Sequence, residues 1–444
     1  MKKFFSKNKK LICMLLFTAF ALLVWRLGTK IRVPGFELEG ATETPSNLFG
    51  FLDIFTGGAL SQFSILALGI SPYITASIVI QLLQMDIVPA FKEWAEEGEA
   101  GKAKLNQWTR YLALFLAFVQ SLALIIGVRN SSYNIYFSSF IEFGPFTYVY
   151  MSLVMTAGTA FVMWLADQIT LHGIGNGGSM MIVAGIVAGL PNMFVSLYNE
   201  FITEGLAAAA EAGKSGAWSI AKFCIIIVIF LFIIVAVVWM EGLQRKIPIQ
   251  YANRPAAAAL RGRQDSNVPL KLNSASVIPV IFASTLLSVP LTIVNFIDVT
   301  KISKSWVVTL IEWLQNIFSQ QQPIGFALYI ILIFLFSFFY SYLQINPQKM
   351  ADNLKKQNAY IPGVKPGEDT AIYISKVLFR VTLLGATYLA IIASLPMLVT
   401  VVFQIANSDV SVLGTSIMIV VGVAVETAKQ IKTQVQSQEY HGFM

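Results

Sequence analysis

A chain of 444 residues that is 56% hydrophobic and only 12% charged would expose too much apolar surface as a water-soluble domain, so it reads as a polytopic membrane protein. The net charge of +7 matters less for its size than for where the basic residues fall. Two cysteines inside apolar runs (Cys13, Cys224) and two distant histidines (His172, His441) offer no disulfide framework and no metal or catalytic cluster, and no cofactor is implied.

The chain opens with MKKFFSKNKK followed by LICMLLFTAFALLVW. This has the layout of a signal peptide, with Ala19-Phe20-Ala21 as a cleavage-like site. The apolar run continues to Trp25, however, so it is read as an uncleaved first span. Residues 50–83 follow a different plan: a short half-apolar segment, Gly57-Gly58, then a long apolar run with Pro72 near its start and a polar row of Ser71, Thr75, Ser77 and Gln81. A helix lining a passage, preceded by a small movable segment, accounts for this. So does a loop followed by an ordinary span whose hydroxyls bond back to their own carbonyls. Taken alone, the stretch favours the plainer reading.

Apolar stretches long enough to cross a bilayer occur at 11–27, 66–88, 111–128, 148–166, 177–197, 218–240, 274–296, 323–343, 377–402 and 412–427. Ten spans put both termini on one side. The five N-terminal lysines and the loops sharing their side hold about 22 of the 31 Lys and Arg, against about 6 in the opposite loops, which makes that side cytoplasmic. Two cytoplasmic loops, 241–273 and 344–376, are long, basic and rich in turn residues such as Pro362-Gly363 and Pro366-Gly367. Such loops offer a docking surface to a soluble partner, including an anionic one such as ribosomal RNA. The polar, Ala/Gly-rich loop 198–216 divides the spans five and five. An odd number per half makes the halves inverted copies, with a pathway at their interface.

Six stretches, in order and over nearly the whole chain, resemble the SecY/Sec61 family of protein-translocation channels in its bacterial form. They are GGALSQFSILALGISPYITASIVIQLL (57–83), GIGNGGSMMIVAGIVAGLP (173–191), RKIPIQYANR (245–254), VPLKLNSASVIPVIFAST (268–285), NPQKMADNLKKQNAYIPGVKPGEDT (346–370) and GTSIMIVV (414–421). The resemblance implies an all-α protein of ten transmembrane helices in two pseudo-symmetric, inverted five-helix halves around a central pore. The halves would be residues 1–197 and 217–444, hinged at 198–216.

It further implies a non-enzymatic pore in the bacterial plasma membrane, conducting unfolded preproteins and releasing signal sequences and membrane helices sideways into lipid between spans 2 and 7. Energy would come from the SecA ATPase or a translating ribosome, and SecE and SecG would complete the complex. A plug at about 51–64 would include Phe51, Phe55, Gly57, Gly58, Leu60 and Phe63. The apolar pore ring falls on Ile74, Ile78, Gly178, Ile182, Ile281 and Ile419. Ile74/Ile78 and Gly178/Ile182 are each four apart, on one helical face. The lateral gate implicates Asn273, with Gln81 facing it across a latch on the order of 1 kcal/mol. SecA and ribosome docking falls on Arg245, Lys246, Arg254, Lys355, Lys356 and Lys365.

Two positions depart from the family pattern. Gly178 stands where an aliphatic residue is usual, so the ring is expected to be wider there unless Met180 or Met181 leans in. Lys365 stands where Arg is typical; it keeps the charge but loses the planar fork, which leaves open an accessory SecY paralogue serving a specialised SecA. The rival from another class is an inverted-repeat secondary transporter. Against it, Lys222, Arg380 and Glu426 lie near span ends rather than at midplane. An intramembrane enzyme lacks any HExxH, GxSxG or phosphate-cradling motif.

Overall fold

The computed structural model describes residues 9–34, 53, 56–84, 88–130, 144–204, 217–251, 266–295, 305–320, 322–403 and 409–440. Thirteen helices and three strands follow one another within it. The N-terminal set is α1 (Lys9–Gly28), α2 (Ser71–Leu83), α3 (Pro89–Glu96), α4 (Glu99–Asn130), α5 (Pro145–His172) and α6 (Gly177–Tyr198), which runs on into a π-helical turn at Asn199–Glu204. Then come α7 (Ala217–Gly242), β1 (Gln244–Tyr251), β2 (Ser266–Lys271), α8 (Ile278–Asn295), α9 (Ser305–Phe318) and α10 (Pro323–Gln344). The chain closes with α11 (Pro347–Lys356), β3 (Ala359–Tyr360), α12 (Glu368–Phe403) and α13 (Asp409–Tyr440).

Ten of these helices correspond to the ten expected spans. Seven are long and apolar enough to cross a membrane by themselves, while α2 and α8 are apolar but shorter. The apolar first half of α13 supplies the tenth. Proline stands at the start of α2, α5 and α10, where its missing N–H costs no hydrogen bond. Asn176 caps α6, its Oδ1 accepting the Gly178 N–H at 3.0 Å.

Helices α1, α2, α4, α5 and α6 pack as one set, with α4 against α2 and α5. Helices α7, α8, α10, α12 and α13 form the other, with α10 between α8 and α12. The sets meet along α2–α8 and α6–α13, with smaller contacts of α4 with α8 and α1 with α13. In the first set, α5 runs so close to the segment entering α2 that a Cβ on Gly158 would stand 2.0 Å from the Ile65 carbonyl oxygen. Only glycine permits that approach.

The two long basic loops contribute all three strands among the described residues. β1 and β2 form an antiparallel hairpin, with Arg245 opposite Leu270 and Ile247 opposite Val268. β3, from the second long loop, pairs with the far end of β1, Tyr251 opposite Ala359. Ile247 and Ile249 turn inward onto Leu270, Leu354 and Ile361, so the two loops share one small apolar core and form a single platform. Helix α9, between the seventh and eighth spans, was not anticipated at all.

Candidate functional site

The four helices that line the seams between the two sets, α2, α6, α8 and α13, are also the four that carry the ring residues. Ile78, Ile182, Ile281 and Ile419 are buried, between 1% and 5% exposed, and belong to a single apolar cluster. Ile74 is half-buried and packs against that cluster. Gly178 sits in the first turn of α6, one turn before Ile182. The space beside it is taken by Ile70, whose Cδ1 lies 3.7 Å from where a Gly178 Cβ would stand. Ile70 is itself buried in the same cluster, so an aliphatic side chain does reach the glycine, but from just ahead of α2. Met181 is a buried core residue, while Met180 is half-buried and accepts the Thr427 hydroxyl at sulfur.

The polar row of α2 divides between the two expected behaviours. Thr75 bonds back to the Ser71 carbonyl at 3.2 Å, as in an ordinary span. Gln81 donates to the Ser77 hydroxyl at 3.1 Å and leaves its own carbonyl oxygen buried without a partner.

Of the segment ahead of α2, Phe51 and Phe55 lie outside the described residues. Gly57, at φ +67°, turns toward α6, close to the Gly185 carbonyl and Ala188. Its own carbonyl accepts the Arg26 guanidinium of α1 at 2.8 Å. Gly58, also left-handed at φ +81°, is half-buried. Leu60 and Phe63 turn away from the ring; they are buried with Val33 and with Ala117, Met151 and Met155 of α4 and α5. A two-rung antiparallel contact fixes this base, Val33 N–H to Phe63 O and Ile65 N–H to Ile31 O, each 2.9 Å. Between base and tip, Asp53 accepts the Ser61 N–H at 2.9 Å. Burial raises the Asp53 pKa above its ordinary value, and the bonds from Ser61, Leu60 and Thr56 offset part of that rise.

At the entry to α8, Asn273 and Gln81 do not bond each other. Asn273 is 5% exposed and gives its amide to the Glu241 carboxylate (3.1 Å) and the Ser276 carbonyl (3.0 Å). Glu241, equally buried at the end of α7, also accepts the Ser276 hydroxyl at 3.3 Å. Ser276 holds φ +53°, a strained value for a non-glycine residue, and these bonds pin it. Lys429 of α13 donates to the Glu241 main-chain carbonyl, so the start of the seventh span is tied to the sixth and tenth. The expected latch across the α2–α8 seam is thus replaced by an anchor on one side of it. The physical reason is that the Asn273 amide is already given to the Glu241 side chain and the Ser276 carbonyl, and the Gln81 amide to the Ser77 hydroxyl.

On the platform, Arg245, Lys246, Lys355, Lys356 and Lys365 are all exposed, and Arg254 lies outside the described residues. The Lys365 carbonyl accepts the Thr370 hydroxyl at 2.8 Å, which ties its loop to the start of α12. Arg26, Ile70 and Glu241 were not picked out from the sequence. The lone arginine near the end of a first span and the lone acid closing the sixth were the available signals.

Residues 64–428 match the SecY family model. The protein translocase subunit SecY of Bacillus licheniformis is 42% identical over 99% of this chain and 98% of its own. Two solved channels share the fold. One is a SecY whose plug domain is described as stabilising the closed state and maintaining a membrane seal (TM-score 0.62, 16% identity, 96% of this chain and 93% of that one). The other is Sec61 in the canine ribosome-channel complex from the endoplasmic reticulum (TM-score 0.61, 15% identity, 96% and 93%). With a family match across most of the chain and a relative of this identity over nearly all of it, the chain belongs to the SecY family.

Proposed function

We propose that the two helix sets work as a gated, protein-conducting pore, the central channel subunit of a Sec translocon in the bacterial plasma membrane. The observation that carries this reading is the coincidence of ring and seam: the branched residues cluster on the four helices where the two sets meet. A narrow apolar constriction there disfavours continuous water and so resists ion leak. Making no specific hydrogen bonds, it deforms around passing side chains without retaining any particular sequence. Separation along α2–α8 opens the pore sideways to lipid, with residues 198–216 as the hinge between halves.

The 51–64 segment acts as the plug, with Leu60 and Phe63 in its fixed base and the Gly57-Gly58 tip free to swing once Arg26 lets go. Both termini and the platform face the cytoplasm, where Arg245, Lys246, Arg254, Lys355, Lys356 and Lys365 engage SecA or the ribosome. SecE and SecG complete the complex. Reconstituted with these subunits, the protein should carry a presequence-bearing polypeptide into vesicles when SecA and ATP are supplied. Uptake of a small solute driven by an ion gradient, without polypeptide transport, would instead support a secondary transporter.

A further inference from the structure

The amphipathic helix α9 stands apart from the seams, the segment before α2 and the platform. Its side chains sort into three stripes, each about a third of a turn from the next. One stripe faces the protein: Ile311 is buried and Phe318 packs against the main apolar cluster, where α9 lies against α8 and α10. A second is apolar yet uncovered, with Trp306 65%, Leu310 47% and Trp313 62% exposed. The third carries the exposed Glu312 and Asn316. A helix simply packed in a bundle needs two faces, not three.

We propose that the Trp306–Leu310–Trp313 stripe is a lipid-binding surface that seats α9 at the headgroup–acyl boundary of the bilayer. Three observations favour lipid over a protein partner. Paired tryptophans flanking a leucine match the amphipathic chemistry of that boundary, apolar in the ring and polar at the indole N–H. The helices it packs against also expose apolar side chains, Leu286 of α8 (39%) and Ile324 of α10 (57%). Finally, the polar stripe stands about a third of a turn away, where an interfacial helix meets water. Because α9 joins the seventh span to the eighth while the platform strands join the sixth to the seventh, α9 lies on the bilayer surface opposite the platform. The gate-forming helix α8 is thus anchored to the platform at one end and to lipid at the other.

The test uses the complete complex in lipid bilayers, with Cys13 and Cys224 replaced by alanine and a nitroxide placed through Leu310→Cys or Asn316→Cys. Both sites are exposed, so neither label intrudes on packing. The expected result is a label at 310 more accessible to oxygen than to a nickel chelate, and the reverse at 316. Equal nickel access at both sites would put the stripe in water. Shielding of 310 from both reagents would assign it to a protein subunit or a second copy. Either outcome overturns the proposal. Should the labelled chain fold poorly, quenching by brominated lipid decides: Trp306→Phe with Trp313→Phe must remove a shallow quenchable component, and unchanged quenching refutes it.

Discussion

The Arg26 guanidinium reaches 2.8 Å from the Gly57 carbonyl, joining the first span to the tip of the segment that precedes the second. The tip's other bonds stay within its own segment, the Gly58 N–H to the Asp53 carbonyl at 3.0 Å and the Ser61 hydroxyl to the Gly58 carbonyl at 3.2 Å, while Gly57 rests against α6 near Gly185 and Ala188. A hydrogen bond to a charged donor is worth about 1.5–3 kcal/mol, so losing it shifts a seated-to-displaced equilibrium by roughly ten- to a hundredfold. Arg26→Ala should therefore raise the resting ion conductance of the reconstituted channel in planar bilayers. In a channel already lacking residues 51–64 the same substitution should add nothing. An effect that persists without the segment would separate Arg26 from plug seating.

Asp53 gives the same segment a pH dependence. Its pKa is raised chiefly by burial, so protonation favours the seated position over one in water. That contribution is complete below the ordinary carboxylate range and is lost as pH rises through the raised value. Resting conductance should therefore fall on acidification from neutral pH into the carboxylate range. Asp53→Asn, which keeps an acceptor for the Ser61 N–H, should flatten the profile.

Asn273 is expected to behave as an anchor rather than a latch. Asn273→Ala deprives the buried Glu241 carboxylate of a donor and should destabilise the protein by about 1–3 kcal/mol, read as a lower Tm in lipid nanodiscs. Gln81→Ala, whose carbonyl has no partner to lose, should leave Tm nearly unchanged. Equal effects of the two would restore a bond across the seam.

How much of this was legible in the sequence depended on the length scale of each signal. Ten spans declared themselves because a membrane helix needs a run of apolar residues that no soluble element needs. The platform did not, since β1 is eight residues long with Pro248 in its middle and three exposed polar or charged groups at its start, and its β3 partner lies about 110 residues away. Helix α9 is hard to read from the sequence because Glu312 and Asn316 interrupt its hydropathy, although Trp306, Leu310 and Trp313 recur at helical spacing. Ring positions were readable only through the family resemblance: nothing local distinguishes Ile281 from a lipid-facing isoleucine. Partners were the hardest, for Asn273 and Glu241 are 32 residues apart and meet only because α7 and α8 are joined by the β1–β2 hairpin.

Lys365 tests the platform. It is exposed on a loop whose shape depends on Gly363 at φ +82° and on Thr370, not on the lysine side chain. Lys365→Glu should reduce SecA-driven transport severalfold while complex assembly, followed by co-purification of SecE, stays intact. Lys365→Arg, which restores a planar fork for bidentate contacts, should preserve transport. Normal transport by the glutamate variant would place docking elsewhere.

On the proposed function, polypeptide crosses through the buried aliphatic cluster shared by α2, α6, α8 and α13. Photo-cross-linkers placed singly at positions 78, 182, 281 and 419, and at the exposed position Ile331 of α10 as control, address it directly when a preprotein is arrested midway by SecA and ATP. Adducts to the translocating chain from all four ring positions and none from 331 are the expected result. Adducts to lipid alone from the ring, with none to the preprotein, would contradict it.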